Sequence, residues 1–494
     1  MEETKLESVN KSSVYLIAAA ALLLGILFDY LFFEKSFGIS VFIFEAVAIS
    51  LTLWFCRKFQ KSFHSTLWLL AFVLFFAAMT AIRANLFLSF LNILATAGLV
   101  LLATKEILKE HINKFRIPDY FFTIVLTPFK ILRRFLRALS FLTTPSKKSS
   151  SAVARRVIIG IALALPFLLI FGALFASADL AFKQLIDSIF RFQISDEFVG
   201  HVILIGGVSV VGLGLFSYIF NIPSEKKSLE EKTQDPKPEK TEVDRSIEVK
   251  VFLWLITGLF AVFLVFQVAY LFGGSVNVTQ GNFTYAEYAR KGFWELLVVS
   301  FFTLIILLIM DRFTKSSISR KAWFTVPSLV LTAEVFIIIV SAFKRLILYV
   351  DAYGLTAQRF YAGAFIIFLG LIFIILAIKL WRKKEDHFFA FGTLVSIITF
   401  LVFINILNPD AFIARKNIDR FNQMGKIDAQ YLGRMSADAI PIILKAYEQF
   451  NDEDKTALKD DMRTNKEELE MQQTGWQSFN FSRQRALLEL ERLQ

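Results

Sequence analysis

A single cysteine, Cys56, stands in a chain of 494 residues, so no internal disulfide can form within it, and four scattered histidines offer no metal-ligand spacing. Redox chemistry and zinc are poor assignments, and no cofactor is implied. Charge is scarce as well: Asp, Glu, Lys and Arg make up 20% of the residues, where a soluble protein keeps ~25%. The signatures of common enzymes are missing too. Gly273, Gly274 and Gly281 lack the Gly-Lys-Ser/Thr of a phosphate loop. There is no Gly-x-Ser-x-Gly, His-Glu-x-x-His, Cys-x-x-Cys or kinase set. Asp452-Glu453-Asp454 and Asp460-Asp461 do not follow a calcium loop.

What fills the chain is apolar. Hydrophobic residues reach 55%, with 56 phenylalanines, and the mean hydropathy is +0.56. That excludes disorder as a whole-chain state. The apolar residues come as unbroken runs of about 20, the length that crosses ~30 Å of hydrocarbon as a helix. Runs near 14–33, 38–56, 65–82, 84–103, 157–178, 200–220, 250–272, 293–310, 322–341, 361–381 and 388–407 predict about 11 transmembrane helices. In lipid each backbone amide must be satisfied within its own element, which leaves helix as the conformation for such segments. The first run is of full span length and shows no cleavage site, so it reads as a retained anchor.

Orientation follows from lysine and arginine, which accumulate on the cytoplasmic side. With the N-terminus inside, the inner segments hold 32 of them and the outer connections nine. An odd number of spans then leaves the tail, with 13 more, outside. The fold class expected is an all-α integral membrane protein with a small C-terminal helical extracytoplasmic domain.

Six regions follow. Residues 1–103 carry four spans. Residues 104–156 form a basic segment in which Phe129, Leu132 and Leu136 interleave with Lys130, Arg133, Arg134 and Arg137, as in a cytoplasmic helix lying among anionic lipid headgroups. Its bulky apolar residues argue against nucleic acid as the partner. Spans five and six occupy 157–220. Residues 221–249, of mixed charge, read as a disordered linker. Spans seven to eleven fill 250–407, and amphipathic helices near 410–424, 427–450, 453–471 and 481–493 build the tail, 408–494.

An ionisable group inside a span costs about 2.5–3.5 kcal/mol on insertion scales, so each needs a partner, water or a proton. Glu45 and Glu334 lie within the second and ninth spans, and Glu295 at the outer end of the eighth. Glu334 and Arg345 share a face if the ninth helix continues, yet they are ~16 Å apart along its axis and cannot pair directly. Thr284 and Glu287 fit a capping box. Gly354 suits a left-handed helix end and Thr356 an N-cap. Topology puts these stretches and Asn408-Pro409-Asp410 at one outer interface. A polar site of Glu287, Arg290, Glu295, Lys344, Arg345, Asp351 and Arg359, roofed by the tail, is one reading. The other has these groups satisfying one another and shaping short loops.

The same stretches carry a resemblance. Thr284 to Leu296, Tyr353-Gly354-Leu355-Thr356 with Arg359, Asn408-Pro409 with Arg415, Asn417 and Arg420, Asp428-Tyr431-Leu432, Ser436 to Pro441 and Trp476 to Asn480 together resemble bacterial multi-pass membrane proteins classed as domain of unknown function 4173, closely related to family 4153. The resemblance spans residues 250–480 and implies a cytoplasmic-membrane protein without an assigned activity. Three functions stay open: a scaffold or sensor whose outer domain holds a membrane or envelope protein, a proton- or ion-coupled transporter or channel using Glu45 and Glu334, and an envelope enzyme acting on lipid-linked substrates. The non-enzymatic readings are preferred.

Overall fold

The computed structural model describes residues 11–143, 196–220, 246–272, 293–313 and 322–492. Among these the regular elements are all helical. The bundle comprises α1 (Lys11–Phe32), α2 (Ile39–Lys58), α3 (Leu67–Ile82), α4 (Leu86–Ile107), α5 (Ile117–Thr143), α6 (Asp196–Phe220), α7 (Ser246–Phe272), α8 (Phe293–Phe313), α9 (Ala322–Tyr353), α10 (Ala357–Trp381) and α11 (Asp386–Leu407). The tail adds α12 (Pro409–Met424), α13 (Ala429–Gly433), α14 (Ile440–Ala446), α15 (Asp452–Gln472) and α16 (Phe481–Glu491).

Eight helices among the described residues are long and apolar enough to cross a membrane: α1 to α4, α6 and α9 to α11. Val249–Val265 of α7 and Leu296–Asp311 of α8 are shorter apolar stretches, and the run expected at 157–178 lies outside the described residues. Large apolar side chains such as Leu23, Leu259 and Phe403 face outward from the bundle, as hydrocarbon-facing helices require.

Among the described residues several apolar clusters hold the bundle, one of them joining α2, α3, α4 and α11 through Ile49, Leu69, Leu102 and Ile398. Ile17, Phe55, Ala138 and Phe216 knit α1, α2, α5 and α6, while Leu253, Leu296, Val335, Ile338 and Phe373 join α7 to α10 around α9. α5 turns Thr123, Thr127, Ile131 and Ala138 inward and leaves Phe121, Phe122, Phe129 and Leu132 exposed. Inward small residues bring it close to α6, where a side chain at Gly214 would meet the Ile131 backbone.

The tail is a packed helical unit whose core is continuous with the bundle. Leu88, Leu355, Phe360 and Ile404 meet Ile413, Leu432, Ile443, Leu458 and Leu487 in one apolar cluster. Short polar caps set its helix starts: Asn451 accepts from Asp454 N at 2.7 Å, and Asn480 from Arg483 N at 3.0 Å. The continuous helix expected over 427–450 is instead α13, a turn, α14 and a 3-10 turn. The Ser436–Asp438 stretch turns toward the bundle, where Asp438 is buried against Ala84 and Asn85, and Pro441, which lacks an amide donor, sits in the first turn of the new helix.

Candidate functional site at the tail-bearing end

Three separate turns of the bundle meet the tail. The first is the α9–α10 turn. Gly354 adopts φ +80, as expected for a left-handed helix end, and Thr356 caps α10 by accepting from Arg359 N at 3.5 Å. Asn417 of α12 brackets the turn: its Oδ1 accepts from Leu355 N at 2.8 Å and its Nδ2 donates to Leu355 O at 2.7 Å. A side chain at Gly354 would meet that Oδ1 at 2.9 Å, so glycine serves both the backbone conformation and the close approach. Arg420 donates to Asp351 O at 3.2 Å and to Ala352 O at 2.8 Å. Tyr431 of α13 accepts from Ala357 N at 2.7 Å.

The second is the α3–α4 turn. Asp438 Oδ2 accepts from Ala84 N at 2.7 Å and from Asn85 N at 2.9 Å. Its Oδ1 lies 2.6 Å from Ser482 Oγ, a hydroxyl that also reaches Ile82 O at 2.8 Å. Asn480 Nδ2 donates to Thr80 O at 3.0 Å and Arg83 O at 2.9 Å. Asp410 Oδ2 accepts from Asn85 Nδ2 at 2.9 Å and from Ser436 Oγ. Beneath them Arg83 Nε donates to Asn405 O at 2.8 Å, and the buried amides of Asn92 and Asn405 exchange hydrogen bonds of 2.9 and 2.8 Å between α4 and α11.

Charge is disfavoured at this seat. Burial pushes the Asp438 carboxyl above the ordinary carboxylate range, against the opposing pull of Ser482, the Ala84 and Asn85 amides and Arg83. The guanidiniums of Arg83 and Arg483 are held below their usual value by the same burial, with the Asp438 charge opposing it.

The third is the α1–α2 turn, where Ile39 N donates to Phe479 O at 2.9 Å and Lys35 Nζ to Thr474 O at 3.0 Å. Gly38 lies so near that a Cβ there would meet Phe479 O at 2.5 Å. Two cavities open between tail and bundle, of about 560 and 610 Å³; the first contains Arg83, Asn408, Arg415 and Asp438, the second Asn85, Tyr361, Asp410 and Arg434.

Of the residues expected at a polar site, Arg359 and Asp351 come to this end. Arg359 stacks on Tyr349, 4.1 Å from the ring centroid, and donates to Tyr353 O at 3.2 Å and to Gly354 O, so it braces the turn. Asp351 is exposed and contributes its backbone oxygen. Lys344 and Arg345 lie on α9, which runs unbroken past Glu334, as the shared-face argument required. Glu287 and Arg290 lie outside the described residues, and Glu295 is placed as the third residue of α8. Glu45 is half-buried on α2. Glu334 is 8% exposed, and its Oε2 has no hydrogen-bond partner among the described residues. No group of three or more His, Cys, Asp or Glu that could hold a metal occurs among the described residues.

Sequence reasoning passed over Asn85, Asn92, Asn405 and Ser482, whereas Asp410 was already expected at the outer interface. Asp438, Asn417, Arg420, Tyr431 and Asn480 stood inside the quoted motif stretches, and that co-occurrence was the available signal: the stretches touch one another.

The family model described as Domain of unknown function (DUF4153) matches residues 70–446. That is well over half of the chain, which belongs to this family. The match falls on the second of the two related families rather than on 4173. It begins within α3, takes in α4 and the Asp410 and Asp438 anchors and stops at the end of α14. No curated protein and no solved structure matches the chain.

Proposed function

We propose that this is a non-enzymatic scaffold or sensor of the bacterial cell envelope, inserted in the cytoplasmic membrane by about 11 helices with its N-terminus inside and the tail domain outside. The observation behind this reading is that one small domain grips three separate turns of the bundle through hydrogen bonds to their backbones. Such a seat fixes the domain's orientation and couples it to helices that begin and end beneath it. A domain held so firmly is suited to present a surface or to pass a displacement inward; α15 turns Lys459, Asp460, Arg463 and Glu467 to solvent as a face for an envelope protein. The anionic leaflet against α5 completes the membrane part of this picture.

The test is co-purification of the full chain from its native membrane, with reversal of the exposed α15 charges as the variant. A stable partner lost on that reversal supports the scaffold. A partner set unchanged by it, or a reporter at Gln494 that reacts only from the cytosol, removes it. A second reading, proton- or ion-coupled transport, draws on Glu334, whose buried and unpartnered oxygen is the kind of group that holds a proton or ion within a bilayer. Flux in proteoliposomes abolished by Glu334→Gln would favour transport over scaffolding.

A further inference from the structure

The smaller of the two cavities brings Asp438 and Ser482 of the tail's attachment together with side chains that the attachment does not use. Four cations surround it: Arg83 from the α3–α4 turn, Arg415 from α12, Lys445 from α14 and Arg485 from α16. One carboxylate lines it, Asp438, and that group is committed to Ala84 N, Asn85 N and Ser482. Arg415, Lys445 and Arg485 are exposed and have no carboxylate partner among the described residues. A surplus of positive charge concentrated in a cavity of about 560 Å³ asks for an anion.

The same cavity is apolar on its other wall. Ile406, in the last turn of α11, is 65% exposed, and Phe481, at the start of α16, is 55% exposed. One helical turn back along α11, Phe403 is 58% exposed, on the outward side of a helix able to cross a membrane. An uncovered apolar track thus rises along a candidate span and ends among four cations. A soluble anion would have no use for the track, and a hydrocarbon chain alone would have none for the cations.

The geometry points to a binding site for an anionic phospholipid, its phosphate among Arg83, Arg415, Lys445 and Arg485 and one acyl chain along Ile406 and Phe403. Guanidinium groups match phosphate oxygens in paired hydrogen bonds, and three of the four cations here are arginines. The lipid would bridge α3, α11, α12, α14 and α16, filling the space between tail and bundle. The inference needs the tail to sit at a bilayer surface; it does not depend on which side, nor on the choice between scaffold and transporter.

The experiment uses the full chain in lipid-depleted detergent, with bound dioctanoyl phosphatidylglycerol followed by native mass spectrometry. The triple variant Arg415→Gln, Lys445→Gln, Arg485→Gln alters exposed side chains, and an unchanged melting temperature checks its fold. It should weaken binding at least about tenfold, since each cation near an anionic lipid contributes on the order of a severalfold factor. The basic face of α5 is the same in both proteins, so their difference reads the cavity. Dioctanoyl phosphatidylcholine should bind about tenfold more weakly than the glycerol lipid, and Ile406→Ser with Phe481→Ser should lower affinity about fivefold. Free glycerol phosphate should fail to displace the lipid. Undiminished binding by the triple variant, equal affinity for the two lipids, or displacement by glycerol phosphate as effective as by lipid would each overturn the proposal.

Discussion

At the end of the bundle away from the tail, Lys379 Nζ lies 2.8 Å from Asp386 Oδ1 and also contacts Asp311, tying α10 to α11 and α8. Lys105 meets Glu110 at 2.8 Å and Tyr218 at 3.0 Å, tying the end of α4 to α6. At the tail-bearing end the comparable joints are made by Asp438, Asn480, Asn417 and Tyr431, and most of their partners are backbone amides and carbonyls. The first kind of joint depends on full charges gathered around a buried ammonium. The second depends on shape, because a backbone donor has a fixed position and no charge to lose. One end is therefore sensitive to the removal of a single charge, and the other to displacement of a whole turn.

Lys379→Met gives the largest expected effect. Lys379 is 5% exposed, and its loss leaves two carboxylates facing each other with one of them, Asp311, nearly buried. Breaking a buried pair from one side costs about 3–5 kcal/mol, here toward the lower figure because Asp386 is 40% exposed. Thermal unfolding in detergent should show the loss, and adding Asp311→Asn should restore part of it. A Lys379→Met protein as stable as wild type would mean that the two ends do not differ in this way.

Next comes Asp438→Ala, which leaves the Ala84 and Asn85 amides without their acceptor at a site where water has little access. At about 1–2 kcal/mol for each of the two orphaned amides, the tail's attachment weakens by roughly 2–4 kcal/mol. The readout is hydrogen exchange: faster exchange in α14 and α16 with α7 to α9 unchanged. If exchange rose throughout the bundle instead, the tail would be part of one cooperative unit and the contrast between the ends would fail. A smaller change follows from Asn92→Leu, which orphans one buried amide of the α4–α11 pair at a cost of about 1–2 kcal/mol, while Asn92→Leu with Asn405→Leu should recover much of it in the same melt.

The same contrast explains what could be read in advance. The helices announce themselves, because lipid demands long uninterrupted apolar runs, and local signals such as Gly354 and Thr356 act within a few residues of where they stand. The joints are different. Asp438 meets Ala84 across 354 positions and Asn480 meets Arg83 across 397, and the atoms contacted are backbone atoms, which every residue type supplies alike. Nothing about Ala84 marks it as a partner. Arg359 reads as a site residue because it is charged, yet it spends that charge on the carbonyls of its own turn and on Tyr349. The continuous helix read over 427–450 fails for a related cause: amphipathic spacing persists across a break, and the break at Ser436–Asp438 exists to reach the α3–α4 turn.

The subtlest expected change is in pH dependence and involves Asp438→Asn. Burial holds the Asp438 carboxyl above its usual range, so the docked tail keeps this proton to a higher pH than the free tail does. The resulting stabilisation is complete below the ordinary carboxylate value and fades as pH climbs through the raised one. Protonation also settles the hydrogen bonds. Ser482 has one hydroxyl proton for two acceptors, Ile82 O and Asp438 Oδ1; a protonated Oδ1 donates to Ser482 Oγ and frees that hydroxyl for Ile82 O. Arg83 and Arg483 favour the carboxylate, while Asp410 nearby favours its protonated form. Asparagine reproduces the neutral arrangement, with its oxygen accepting from Ala84 and Asn85 and its amide donating to Ser482. The variant should therefore stay within about 1 kcal/mol of wild type at acid pH, exceed it at alkaline pH, and lose the slope contributed by this carboxyl. Protection of α16 measured across the pH range tests this, and a variant that kept the wild-type slope would place the titrating group elsewhere in the joint.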